Sequence, residues 1–276
     1  MNTLDSLHTI SSTFSSTEKM PVLFLGHGSP MNAIEENQFV AGFRNIAKIL
    51  PQPNAILCIS AHWFTKGTKI TAMKMPRTIH DFGGFPKELF DIQYPAKGNP
   101  HLAIETKELL LPTEIELDQE WGLDHGAWSV IKHLYPDANV PVIQLSIDYS
   151  KPAQYHYDLA KKLSSLRHKG ILIIGSGNII HNLRLFDFAN FDKENYGFDW
   201  AIEAREKINH FLLDNNFQAL IDYDKQGKAL QLAIPTLDHY LPLIYTLGLK
   251  EKKEELILFN DKLVGGAASM TSVRIV

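Results

Sequence analysis

Apolar and polar positions along the chain follow two alternating rhythms. Short, nearly unbroken apolar runs rich in β-branched residues recur at 22–25, 55–60, 142–147, 171–174, 256–259 and 272–276, each bounded by Gly, Pro, Asn or Lys. Apolar runs of this length are the pattern of strands buried on both faces. Between them, 39–50, 101–111, 127–135, 154–168 and 200–215 carry apolar residues at three- and four-residue spacing, the period of helices with one buried face. The alternation predicts an α/β sandwich with a mixed, largely parallel central sheet flanked by helices.

No internal repeat, low-complexity tract or Pro/Gly/Ser linker interrupts the pattern after residue 20, so 21–276 reads as one domain. Residues 1–20 are rich in Ser and Thr and have neither a basic start nor a continuous apolar stretch; they read as a flexible lead, not a secretory signal. Two stretches break the rhythm with mixed polar and aromatic residues, 75–100 and 233–243. In α/β proteins such loops at the carboxyl ends of strands carry the chemistry.

Composition narrows the class. The chain has 276 residues, 45% apolar and 21% charged, which suffices for a substantial core. A net charge of -4 without a long basic run excludes nucleic acid and an anionic membrane as obvious partners. No apolar run approaches the roughly 20 residues of a membrane helix. A single cysteine, Cys58, excludes an internal disulfide and any thiolate cage, and points to the cytoplasm.

The histidines carry the chemical signal. Of twelve, five occupy strand-end settings: His27 in "FLGHGSP", His62 in "CISAHW", His125 in "GLDHGAW", His181 in "IIGSGNIIHNL" and His239 in "TLDHY". Glycines on both sides of His27 remove neighbouring side chains and let the backbone turn after its strand. Six others, His8, His101, His133, His156, His168 and His210, read as surface or core-edge residues. Imidazoles converging on one sheet edge would repel if protonated, and a divalent metal keeps them neutral by using their lone pairs. The zinc-peptidase motif His-Glu-x-x-His, Cys-x-x-Cys, Gly-x-Ser-x-Gly and a Walker loop are all absent. "GSGN" at 175–178 is only a weak match to an anion cradle, because the dinucleotide fingerprint is incomplete.

Taken together, "LGHGSPMNAIE", "SAHW", "TIHDFGGFP", "DHGAW", "QLSID", "GSGNIIHNLR" and "DHYLPL" resemble the DOPA 4,5-dioxygenase family, the stand-alone branch of the class III extradiol ring-cleaving dioxygenases. The resemblance runs from about residue 20 to the end, with the motifs in order. It implies that 21–276 is a catalytic domain that opens a catechol, DOPA-like, with O2 at a non-haem metal, giving a 4,5-seco product.

Residue by residue, the resemblance implies that His27 and His62 are metal ligands and that His239 takes the position a carboxylate holds in the wider class. Asp238 beside it is expected to point elsewhere. His181 is implied either as a further ligand or as an acid/base, and His125 as an active-site histidine that bonds substrate or oxygen, unless it merely caps the helix near Ala127. The "TIHDFGGFP" loop brings His80, Asp81, Phe82 and Phe85, a mixture suited to closing over an aromatic ring, with His80 the candidate substrate contact. Trp63 and Trp128 either wall the pocket or pack in the core. One divalent ion per chain is expected, Fe(II) for catalysis, with Zn(II) plausible as the bound ion because the affinity order favours it. The remaining alternatives are a zinc-dependent hydrolase and a metal-binding or chelatase-like protein, in a monomer or small homo-oligomer.

Overall fold

The computed structural model describes residues 18–191 and 193–276. Among these, the strands are β1 (Val22–Gly26), β2 (Ala55–Thr65), β3 (Thr68–Thr71), β4 (Ile115–Asp118), β5 (Val142–Asp148), β6 (Ile171–Gly177), β7 (Leu256–Phe259), β8 (Leu263–Val264), β9 (Ala268–Ser269) and β10 (Ser272–Ile275). Eight form one sheet in the order β4-β3-β5-β2-β6-β1-β10-β7, and β8 pairs with β9. β5, β2, β6 and β1 are mutually parallel, whereas β10 runs antiparallel to both β1 and β7. The mixed, largely parallel sheet and the single domain are as the alternation predicts.

Strand residues alternate between two cores. Val22, Phe24, Leu57 and Ile173 face one layer, which holds the helices Ala153–Lys161, Asp199–Leu213 and Leu241–Gly248. Leu23, Leu25, Cys58 and Ile174 face the other, against the helices Gln38–Ala47 and His125–Leu134. Because the central strands are parallel, their carboxyl ends share one edge, where β1 ends at Gly26 and β6 at Gly177, paired with each other.

Several boundaries differ from the sequence expectation, each for a physical reason. β2 does not stop at Ser60. It continues to Thr65, and its register against β5 shifts between Ile59 and Phe64. That irregularity frees residues 60–63 from pairing with β5 and re-aims the side chain of His62. The span 154–168 divides into Ala153–Lys161 and Ser164–Arg167. The 233–243 stretch is not wholly irregular, since Leu241–Gly248 is a buried helix whose Pro242 sits in the first turn, where no N–H is needed. β3 and β4 are short polar strands at the sheet edge, without the continuous apolar run that marks the others.

Two histidines assigned to the surface or core edge are buried instead. His133 donates from Nε2 to Asn32 O at 2.7 Å, and His156 is 0% exposed, with Nδ1 3.0 Å from Tyr245 Oη. His101, His168 and His210 are exposed, and His8 lies outside the described residues. Of the lead, residues 1–17 also lie outside them. Met20, in contrast, is buried and exchanges two hydrogen bonds with Arg167, and Lys19 pairs with Glu254 at 2.8 Å, so the fold begins before residue 21. No helix among the described residues is long and apolar enough to cross a membrane.

The burial of His156 has a measurable consequence. Desolvation pushes its pKa down to about 4, so the folded chain keeps it neutral while the unfolded chain protonates near 6.5. Between those values unfolding takes up a proton, and stability falls as pH drops from about 6.5 towards 4. The contribution at stake is on the order of 3 kcal/mol. Urea melts at pH 7.5 and 4.5 should show this loss, and His156→Gln should reduce it; an unchanged pH dependence in the variant would assign the loss to other groups.

Candidate metal centre

Five strand-end histidines meet at the carboxyl edge of the parallel strands. His27 follows β1 directly, and its N–H donates to Gly177 O at 3.0 Å. The chain then turns through Gly28 at φ +63°, a conformation that side-chain-bearing residues rarely adopt. Asn32 Nδ2 holds His27 O at 2.9 Å, and buried His133 holds Asn32 O in turn. His62 projects from the irregular part of β2. His239 lies two residues before the helix Leu241–Gly248, with its carbonyl accepting from Asn178 N at 3.0 Å.

The rings of His27, His62 and His239 form a nearly equilateral triangle, with centroids 5.0, 5.0 and 5.3 Å apart. Each turns one nitrogen to a partner. Ser176 donates its only hydroxyl proton to Gly126 O, so its Oγ accepts from His27 Nδ1 at 3.0 Å. Asp238 Oδ2 accepts from His239 Nδ1 at 2.5 Å, and Asp81 Oδ2 faces His62 Nδ1 at 3.3 Å. With the protons on Nδ1, each Nε2 keeps a lone pair. His27 Nε2 and His62 Nε2 lie 3.3 Å apart. Two nitrogens about 2.1 Å from one ion at a near-tetrahedral angle stand at about that separation, so this pair fits a divalent metal. Ligand atoms of His27, His62 and His125 lie within 4.8 Å of one another, as do those of His181, Asp238 and His239.

His181 and His125 lie beside this triangle. His181 stacks on His239 with centroids 3.6 Å apart and 13° between planes, and its N–H is tied to Ala233 O. His125 packs 3.9 Å from His62 and opens the helix His125–Leu134. The cap of that helix is Asp124, which accepts from Ala127 N at 3.1 Å, so His125 is free of the capping role. Asp124 is itself buried and held by Ser60, Gln144 and Trp121; burial pushes its carboxyl pKa up. The next helical residue must be glycine, because a Cβ on Gly126 would stand 2.7 Å from His62 Cδ2 and 2.6 Å from Ser60 Oγ.

Electrostatics favour the neutral form of His27, His62 and His181. Burial, then the neighbouring His62, holds His27 well below its ordinary pKa. Burial and His125 lower His62, and burial and His239 bring His181 down to about 3. Against the upward push of burial, the hydrogen bond from His239 keeps Asp238 ionised.

Some residues are corrected. Asp238 does not point elsewhere but orients His239. Asp81 is the loop's carboxylate beside the cluster, close to His62 and His125. His80 donates from Nε2 to Ile92 O at 2.9 Å and packs on Phe90 and Trp128, while Phe82 touches both its ring and that of His125. Trp128 is fully buried and acts as packing, while Trp63 stacks on Trp121 and lines a cavity beside His62. "GSGN" cradles no anion: Ser176 serves His27, and Asn178 Oδ1 accepts from Gly28 N at 3.3 Å.

A histidine cluster that could hold a metal ion at the carboxyl edge of a largely parallel sheet defines a candidate metal site in an α/β protein, and the chain belongs to the family of the catalytic LigB subunit of aromatic ring-opening dioxygenase, matched over residues 21–259. Its relatives are more particular. It is 44% identical to the 4,5-DOPA dioxygenase extradiol of Escherichia coli over 94% of this chain and 96% of that one. The 4,5-DOPA dioxygenase extradiol of Mirabilis jalapa is 34% identical over 85% of this chain and 89% of its own. A crystal structure of an uncharacterized Escherichia coli protein superposes with a TM-score of 0.80 at 40% identity, covering 93% of this chain and 99% of that one. The chain is an extradiol dioxygenase by class.

Proposed function

We propose that the chain opens the ring of a DOPA-like catechol outside the diol with O2, at one non-haem divalent ion held by His27, His62 and His239. The observation that carries this is the triangle of rings whose Nδ1 atoms all turn to partners, leaving three Nε2 lone pairs for one ion. Fe(II) is the working ion in this reading, and Zn(II) binds the same donors. The catechol is taken from the relatives' names.

When bound, the ion supplies neighbouring positions for both catechol oxygens and for O2, with an electron path between them. The chain's own residues handle protons and orientation. Binding through both hydroxyl oxygens releases at least one proton, and His181, stacked on His239 with centroids 3.6 Å apart, is the residue placed to take it. His125, fixed through its backbone N–H to Asp81 at 2.9 Å, is the partner that holds or returns a proton as the O–O bond breaks. Phe82, whose ring is edge-on to His125 at 5.4 Å, gives the substrate ring an apolar neighbour. The balance closes without a further reductant. Both oxygen atoms enter the product, one at each carbon of the broken bond, and the proton taken up is given back. The product is a yellow muconic semialdehyde, 4,5-seco-DOPA from DOPA.

Apoprotein mixed anaerobically with Fe(II) and L-DOPA, then given air, should consume about one O2 per DOPA and turn yellow. No O2 uptake with L-DOPA or simple catechols would defeat the proposal.

A further inference from the structure

The carboxylate of Asp81 stands between two histidines to which the proposed mechanism gives different duties. Its Oδ2 lies 3.3 Å from Nδ1 of His62, a ligand in that reading. Its Oδ1 lies 3.0 Å from Nδ1 of His125, the proton-handling residue, and accepts the His125 backbone N–H at 2.9 Å. The second of these contacts is firm and directional. The side-chain contact to His125 is close but too poorly aligned to count as a hydrogen bond, since His125 Nδ1 is buried without a hydrogen-bonding partner. The loop also meets the start of the helix His125–Leu134 through Trp128 Nε1, which donates to Ile79 O at 2.8 Å, but the hydrogen bond that holds the His125 N–H is the one to Asp81.

We infer that Asp81 is a positioning residue that sets the metal affinity of His62 and the alignment of His125 together. The inference rests on the function proposed above. Its physical basis is that an imidazole bound to metal through one nitrogen is oriented, and made a better donor, by an acceptor on the other. Asp81 Oδ2, 3.3 Å from His62 Nδ1, is the carboxylate placed for that role, and its anchorage on the His125 backbone helps set how far apart the two rings sit, at 3.9 Å between centroids. A neutral amide in its place keeps the size and loses the charge. His62 then loses the acceptor that favours its Nδ1 proton, and its Nε2 lone pair is less reliably presented. The amide has one oxygen for two contacts, so where it serves His62 the His125 N–H loses its acceptor instead, and turnover falls even where the metal is saturating. Substrate affinity, which on this reading depends on the ion and the aromatic neighbours, moves little.

The test uses the full chain. Apo wild type, Asp81→Asn and Asp81→Ser are titrated anaerobically with Co(II), reading affinity and the visible ligand-field spectrum, with circular dichroism to verify folding. Each is then assayed with L-DOPA at saturating Fe(II). Expected are a roughly 10–100-fold loss of Co(II) affinity, an altered spectrum, and a fall in kcat with KM changed by no more than a few-fold. A folded variant of either kind with wild-type Co(II) affinity and spectrum overturns the inference. If the wild type binds Co(II) but cleaves no catechol, the proposed function fails, and the affinities alone decide the role of Asp81.

Discussion

In His27→Ala, reconstituted with Fe(II) and freed of loose metal, the metal content falls from one ion per chain to near zero and ring cleavage disappears with it. The expectation follows from the donor set. His27 contributes one corner of the triangle, and the two rings left, His62 and His239, are 5.0 Å apart and supply only two nitrogens. A two-nitrogen site competes poorly with water and buffer for a divalent ion. His27 is also held in place through Ser176 at its ring and Asn32 at its carbonyl. His62→Asn should behave alike, while exposed His210→Ala should keep its metal. Elemental analysis settles the matter: unchanged metal in His27→Ala removes the proposed centre.

His181→Asn and His125→Asn are expected to separate turnover from metal binding. His181 stacks on His239 and His125 packs on His62, so each touches the triangle from the side. A ligand holds the ion in every state, whereas an acid/base group matters only while protons move. Both variants should therefore retain most of their iron, show the charge-transfer colour of a bound catechol, and lose turnover by roughly two to four powers of ten. Iron content, anaerobic catechol spectra and kcat measured on the same preparations distinguish the roles. A metal-free His181→Asn would make His181 a fourth ligand and leave proton handling to His125 alone.

The sequence by itself determined the layered α/β plan, because a parallel strand buried on both faces must be continuously apolar and the runs at β1, β2, β5 and β6 leave no other reading. It also singled out the strand-end histidines, since glycine-flanked imidazoles after such runs are visible locally. What it could not reveal were relations between residues distant along the chain. The 233–243 stretch read as irregular, yet Pro242 sits in the first turn of a helix, which tolerates it. β3 and β4 carry too few apolar residues to announce themselves and exist because β5 offers an edge to pair with. His156 and His133 sit on patterns indistinguishable from a half-exposed helix face, and only packing against Tyr245 and Asn32 buries them. The supporting carboxylates and hydroxyl are the sharpest case. Ser176 is 149 positions from His27, and Asp81 is 44 from His125; a hydrogen bond's partner is chosen by direction and distance in space, which tertiary structure alone supplies.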